Sequence, residues 1–551
     1  MGCGLGKTNT ETKGGEANEE EGAVSLQTKK EFQKFWEQKH YNTSQDINSI
    51  WNLSIAQQDI SKIYIFDKKE IGAGHYGVVR KAQLKVDRSK VYAVKTIVMQ
   101  KLKGDKTLLK NELEMLRFSD HPNIIQFYEI YKDEKCVHFV TEYCEGGDIT
   151  TRLEQNGPFP EEDARRIIFE VLFAINHLHS CGIVHRDIKP DNFLFKTKKR
   201  DSEIKLIDFG LSKKFQQGSK LHSILGTPYY VAPEILEKRG YTEKVDVWSA
   251  GVMLFLLLVA DFPFKSSNNG ELFDKIKRGD FSMTASHQLR SASAECKALL
   301  RNLIERNPSK RFSAREALRD PWFDPINMEW NLRGKAVLTR DILQRLRSFK
   351  SESKFSKEVI RLLVMIHDDD PEVMKLKDAF FYLDVLDNGV ITNVELRKAF
   401  DELGEETTDK EIEEIIKSLE LRTHGIVTYS EFITAAIDQS FYANEKYLTE
   451  IFKRFDIDQD DHIGFQDIQD CFSRFGIDLT KADILKMIND FDQNADSKIS
   501  YPEFIRIMKG DMHQNTSPLK RESNFADLKS PVMVSVKEKN SDVVNQKPSS
   551  S

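Results

Sequence analysis

In the segment His185-Arg-Asp187-Ile-Lys189-Pro-Asp-Asn192, a carboxylate, an amine and an amide stand close together. These types suit phosphoryl transfer to a hydroxyl. Asp187 would accept, or at least orient, the hydroxyl proton. Lys189 would stabilise charge on the moving phosphoryl group, and Asn192 would bind a magnesium ion. Asp208-Phe209-Gly210 follows, and Asp208 would chelate magnesium between the β- and γ-phosphates. Upstream, Lys95 ends the strand-like run Val91-Tyr-Ala-Val-Lys95. A lone strand lysine is usually a solvated surface group. Here a helical stretch, Leu108–Phe118, offers Glu112 or Glu114 as a partner that would hold the amine toward the α- and β-phosphates.

These groups need a cleft with a phosphate-covering loop. Ile71-Gly72-Ala73-Gly74-His75-Tyr76-Gly77-Val78-Val79 carries the pattern GxGxxGxV. Dinucleotide-binding loops use similar glycines, but they run from strand to helix. Here a strand-like stretch, Val78–Leu84, follows and then a second strand. Two strands joined by a glycine turn fit a loop folded over ATP phosphates, where glycine lets backbone approach closely.

The chain has 551 residues, 40% hydrophobic and 30% charged, with net charge −6 and pI about 6.2. That length predicts more than one domain, and the acidic balance argues against bulk nucleic-acid binding. Six cysteines (Cys3, Cys136, Cys144, Cys181, Cys296, Cys471) lack metal-ligand spacing and suit a reducing, intracellular setting. No apolar run reaches the roughly 18 residues of a membrane span; the longest, Val252–Ala260, reads as a buried helix. The start lacks the apolar stretch of a secretory signal.

Composition divides the chain into an N-terminal extension (1–60), a catalytic region (64–323), a junction (324–370), a repeat region (371–510) and a polar tail (511–551). The first 25 residues and the tail have the composition of disordered segments. Phe32, Phe35, Trp36, Ile47, Ile50 and Trp51 give residues 26–60 apolar positions for local packing.

The repeat region carries four acidic loops, starting at 384, 420, 456 and 492, a constant period of 36. Calcium takes hard oxygen ligands from positions 1, 3, 5, 7, 9 and 12 of such a loop. The fourth loop offers Asp492, Asn494, Asp496, the Lys498 carbonyl and Glu503, with Ser497 in the usual glycine place. The third offers Asp456, Asp458, Asp460, the His462 carbonyl and Asp467, one methylene shorter than the usual closing glutamate. The first keeps Asp384, Asn388, the Val390 carbonyl and Glu395, but Leu386 removes a ligand at position 3. The second places Arg422 and His424 at ligand positions and reads as a structural partner. Solvated acidic loops would not carry Ile391, Val427, Ile463 and Ile499 at one fixed offset. Two pairs are therefore expected: 371–438, degenerate, and 439–510, calcium-binding.

Between the two halves, Leu338, Ile342, Leu343, Leu346 and Phe349, then Phe355, Val359, Leu362, Leu363 and Ile366, recur at helical spacing. Arg340, Arg345, Arg347, Lys350, Lys354 and Lys357 make the segment basic, which suits a calmodulin-like groove.

Over about 260 residues the first half resembles the eukaryotic protein kinases. The resemblance favours Glu112 over Glu114, from its offset to His121-Pro-Asn-Ile124. It implies that Thr141 is the gatekeeper, that Glu142–Cys144 face adenine and that Asp148 lies near ribose. Glu234 would pair with Arg311, and Asp246 would brace the catalytic loop. Lys189 and Gly226-Thr227-Pro228 are similar to serine/threonine kinases. Ser223 stands where many kinases are phosphorylated, and Arg186 could pair with its phosphate.

Residues 64–510 as a whole resemble the calcium-dependent protein kinases of plants, ciliates and apicomplexan parasites. The resemblance implies a multidomain α+β chain: a bilobal protein-kinase fold followed by an all-α, calmodulin-like domain of four EF-hands. ATP, Mg2+ and Ca2+ would be its cofactors, and protein serine and threonine hydroxyls its substrates. The junction helix would inhibit at rest and become the EF-hand target in calcium. Ser223 departs from the acidic residue of many relatives. Met1-Gly2-Cys3 resembles dually acylated starts, although Gly6 replaces the usual Ser or Thr, and would give a peripheral position at the cytoplasmic face of membranes. Two other readings stay open. One is a kinase of this build with structural EF-hands, controlled at Ser223. The other is an EF-hand adaptor with an inactive kinase fold, against which intact Lys95, Asp187 and Asp208 weigh.

Overall fold

The run Val91–Val98 buries Tyr92 and Val94 on one face and Ile97 on the other, as the period-2 geometry of a sheet strand requires. It is β3 of an antiparallel sheet comprising β1 (Tyr64–Ala73), β2 (Gly77–Leu84), β3, β4 (Phe127–Lys132) and β5 (Cys136–Glu142), ordered β1-β2-β3-β5-β4. A computed structural model describes residues 59–509, except 74–76, 103–108, 110–111, 114, 117–118, 215–219, 222–225, 285, 350–352, 420–424, 476 and 478. His75, Tyr76, Gly74, Ser223, Gly2 and Cys3, with residues 1–58 and the tail, thus lie outside the described residues.

Helical structure dominates after the sheet. The helix Glu161–Ser180 begins with three acidic residues at its positive end and is buried along most of its length, as is Lys244–Val259, which contains most of the apolar run at 252–260. Among the described residues no helix is long and apolar enough to cross a membrane. The helix Asp324–Val337 leaves this lobe and lies along Pro371–Leu383, the first helix of the repeat region. Trp330 stacks on Phe381 with ring centroids 4.2 Å apart. A Cβ at Gly334 would come within 2.4 Å of Asp378 O, so glycine permits this close approach.

The repeat region forms helix–loop–helix units. Pro371–Leu383 and Asn393–Glu402 flank the first loop, and Asp409–Leu419 and Tyr429–Ala436 the second. Glu445–Phe455 and Phe465–Arg474 flank the third, and Lys481–Phe491 and Tyr501–Met508 the fourth. Short strands join the loops in pairs, with Ile391 opposite Val427 and Ile463 opposite Ile499.

The junction forms two helices, Arg340–Ser348 and Lys354–Ile366. The second is not amphipathic in its setting: every residue from Phe355 to Ile366 is buried, Lys357 and Arg361 included. Both EF-hand pairs and the outer face of the five-stranded sheet enclose it. Phe355 sits among Phe455, Phe472, Phe491 and Phe504. Tyr64, Tyr92, Tyr128 and Tyr131 of the sheet belong to the same apolar cluster.

Candidate active site and sensor loops

Pairing of β1 with β2 sets Gly72 opposite Val79 and Ala73 opposite Val78, so the glycine-rich turn joins these two strands. Gly77 has a reason the motif did not disclose. A Cβ there would lie 1.9 Å from Thr96 O of β3, so the need for glycine comes from the sheet. Ile71, at the edge of this turn, is exposed.

Lys95 on β3 reaches Glu112 in an ion pair and lies 3.8 Å from Asp208 Oδ1. Residues 112, 113, 115 and 116 are helical. Burial alone would lower the Lys95 pKa, but Glu112 and Asp208 outweigh it and hold it above its ordinary value. Burial likewise works to raise the Asp208 carboxyl, while Lys95 and the Gly210 N–H hold it below the usual range. Phe209 packs edge-on to His185 with centroids 5.5 Å apart.

Asp187 is held from three sides. Lys189 Nζ donates to its Oδ2 at 2.7 Å, Thr227 Oγ1 to its Oδ1 at 3.1 Å, and Asn192 Nδ2 to its carbonyl at 2.7 Å. This commits the Asn192 amide nitrogen and leaves its Oδ1 as an acceptor for a cation. Arg186 takes a left-handed φ of 69°. Buried Asp246 supports that turn by accepting from the His185 and Arg186 N–H groups, both at 2.8 Å. Arg311 forms a buried fork with Glu234 at 2.7 and 3.1 Å. Asn192 and Asp208 offer two oxygen ligands beside Lys95 and Lys189, a donor set that fits magnesium with polyphosphate. When bound, the metal neutralises phosphate charge.

Two side chains near the hinge, Glu142 and Asp148, have protein partners of their own. Glu142 has its carboxylate inside the protein, 3.2 Å from Lys205 Nζ and accepting from Gln126 N at 2.7 Å; only its backbone is available to adenine. Asp148 caps the helix Ile149–Asn156, accepting from Thr151 N at 2.6 Å and Thr151 Oγ1 at 2.9 Å, so a ribose would share an occupied carboxylate. An N-cap signature, Asp before an apolar helical start, was there to be read. Cys144 is buried. The Thr141 hydroxyl donates to Ala93 O at 3.4 Å.

Three sensor loops share one backbone course. Positions 4 and 6 are left-handed in each: Asp387 and Gly389, Gln459 and Asp461, Ala495 and Ser497. The first residue's carboxylate gathers the N–H groups that this course turns inward. Asp456 accepts from Asp460 and Asp461, and Asp492 from Ala495 and Ser497. Asp467 spans its loop despite its length, accepting from Ile457 N at 3.1 Å and Gly464 N at 2.9 Å. Glu503 does the same with Gln493 N and Ser500 N, both at 2.9 Å. Ligand oxygens of Asp456, Asp458 and Asp460 lie within 4.8 Å of one another, and in the fourth loop Asn494 Nδ2 donates to Asp496 Oδ2 at 2.9 Å. Burial pushes the Asp456 and Asp467 carboxyls up, a cost that a bound cation would relieve. Both donor sets fit calcium.

Lys498 does more than supply a carbonyl. Its ammonium pairs with Asp460 of the neighbouring loop. His462 donates its backbone N–H to Asp460 Oδ1 at 3.0 Å.

The first loop meets the catalytic lobe. Its Val385 carbonyl accepts from Arg319, those of Leu386 and Asp387 from Asn176, and Asn388 O bonds His177 Nδ1 at 2.9 Å. Asp384 and Glu395 are buried here, and burial followed by their mutual repulsion raises the Asp384 carboxyl. Val390 joins the apolar core of the catalytic lobe, and Leu386 is buried. Of the second loop, 420–424 lie outside the described residues.

Residues 65–323 match the protein kinase domain family, and 373–437 and 445–509 match the EF-hand domain pair. Fold and site thus define a protein kinase fused to a four-EF-hand sensor. The chain is similar to calcium-dependent protein kinase 9 of Arabidopsis thaliana, 31% identical over 481 residues and 86% of each chain. It is similar to calcium-dependent protein kinase 5 of Plasmodium falciparum, 30% identical over 86% of this chain and 82% of the relative. Calcium-dependent protein kinase 7 of Oryza sativa is 32% identical over 84% of each. The chain belongs to the calcium-dependent protein kinase family.

Proposed function

We propose that this protein transfers the γ-phosphoryl of MgATP to serine and threonine hydroxyls of proteins when calcium binds its own EF-hands. One observation carries the reading. The basic junction is enclosed by both EF-hand pairs and the outer face of the sheet, while Lys95, Glu112, Asp208 and Asp187 stand assembled on the other side of that sheet. In this reading the junction obstructs the catalytic cleft at rest, and calcium draws it into the sensor. A ligand shifts that balance only by binding the seated arrangement more tightly.

Asp187 orients the hydroxyl and takes its proton. Lys189 and Lys95 bind phosphate oxygens, and Asn192 and Asp208 hold magnesium. Loops three and four take calcium, through Asp456, Asp458, Asp460, His462 and Asp467, and through Asp492, Asn494, Asp496, Lys498 and Glu503. The glycine-rich turn, Ile71 to Val79, covers the nucleotide, and Glu142 and Cys144 meet adenine through backbone groups.

The deciding experiment is phosphate transfer to a serine/threonine peptide by the purified chain, in calcium and then in chelator. Activity only in calcium supports the reading, and equal activity in both overturns the regulatory part. Acylation at Gly2 and Cys3 would place the enzyme at the cytoplasmic face of membranes. A Gly2→Ala protein partitioning like the parent would count against it. Phosphorylation of Ser223 would add a second input, and an unchanged rate in Ser223→Ala would remove it.

A further inference from the structure

A row of ions, part-buried at the sensor end and buried at the hinge end, runs between the two. Asp368, just beyond the junction helix, accepts from Lys196 Nζ at 2.6 Å. Lys196 also lies 3.3 Å from Glu203, and Lys377 of the first EF-hand helix pairs with Glu203 from the other side. Lys205 Nζ then lies 3.2 Å from Glu142 at the end of β5. Lys205 and Glu142 are 4% and 6% exposed, so solvent and salt screen this inner pair little.

The backbone ties the same residues to the nucleotide side. Glu145 N donates to Lys196 O, and Gly146 N to Phe195 O, both at 3.0 Å. A Cβ at Gly146 would lie 2.1 Å from Thr197 O, so these chains are in close contact. The residue that Asp368 grips therefore holds the segment leaving the hinge. Burial works against the charge on Lys205, yet Glu142, Glu203 and Asp368 together keep its pKa above the ordinary value. Taking Asp368 away leaves Lys196 and Lys205 facing each other with less countercharge in a poorly solvated place.

We propose that Asp368 and Lys377 are positioning residues for ATP: the seated sensor completes this ion row, fixes the hinge and so raises nucleotide affinity. The inference rests on the calcium-activated kinase reading above and adds a direct effect on the nucleotide site to release of the cleft. By linkage, nucleotide must tighten calcium binding by the same factor.

The test is titration of the full chain with a non-hydrolysable ATP analogue and magnesium, in calcium and in chelator. The parent should bind about 5-fold or more tightly in calcium. Asp368→Asn and Lys377→Gln should lose most of that gain and raise the KM for ATP by the same factor. The KM for peptide and the number of calcium ions bound should stay as in the parent, and Asp368→Glu, which keeps the charge, should keep the gain. Variants that retain the full gain overturn the proposal. So does a parent whose nucleotide affinity ignores calcium, or an Asp368→Glu protein as impaired as Asp368→Asn. Failure of the underlying reading looks different: the parent then transfers no phosphate to peptide, or transfers it equally in chelator.

Discussion

Asp187 is a carboxylate held by Lys189 of its own segment and by Thr227 from forty residues on. Lys189 and Thr227 fix its two oxygens, so its role depends on orientation more than on basicity. Asp187→Asn should preserve the fold and lower kcat by about 10²–10⁴-fold, with little change in KM for ATP, measured by transfer to peptide. Lys498 makes the opposite kind of prediction. Its ammonium occupies Asp460, an oxygen that calcium needs. Lys498→Gln should therefore tighten calcium at the third loop several-fold, read by titration, with the fourth loop little changed. The sequence disclosed which residues carry the chemistry, because their types and order are set by phosphate and metal. It did not disclose where Glu142 and Asp148 point. The Glu142 side chain answers to Lys205, a long-range partner that leaves no spacing signal, whereas the Asp148 cap on Thr151 has a local signature that the nucleotide reading passed over.

At the scale of elements, the loops differ in what they can do although they fold alike. Glu503→Gln should remove one calcium ion from the chain and blunt activation. Asp384→Asn should leave the number of ions unchanged, because Leu386 takes a ligand position in a loop whose carbonyls are held by Asn176, His177 and Arg319. Both outcomes can be counted by calorimetric titration. The 36-residue period made the four units legible, and the Ser or Thr three places before each closing Glu fits both the loop end and a helix capping box. The junction was less legible. Its apolar stripe predicts one buried face, and the structure buries all of Lys354–Ile366 beyond its first residue, since two partners close on it from opposite sides. Periodicity in one helix cannot count its partners. Phe355→Ala, among Phe455, Phe472, Phe491 and Phe504, should cost about 3–5 kcal/mol of seating stability and show as lost calcium activation, with nucleotide bound only at its calcium-free affinity.

At the scale of the molecule, the sensor is bolted to both lobes. Arg454, from the helix before the third loop, pairs with Tyr92 and lies 3.6 Å from Glu129 on the sheet, and Ser430 donates to Asp120 of the catalytic half at 2.6 Å. Calcium should therefore stabilise the enzyme as a whole. At 100 times the dissociation constant each site adds about 2.7 kcal/mol, so chelator should lower the melting temperature of the catalytic half together with that of the sensor in one transition. Because catalyst and sensor are parts of one chain, joined through residues 324–370, the partners never separate in solution. Their encounter is unimolecular, at an effective concentration on the order of millimolar or above. Dilution should then leave the calcium needed for half-activation unchanged, and a copy of this protein present at a few molecules per cell would answer the ion at the same threshold as one present in thousands.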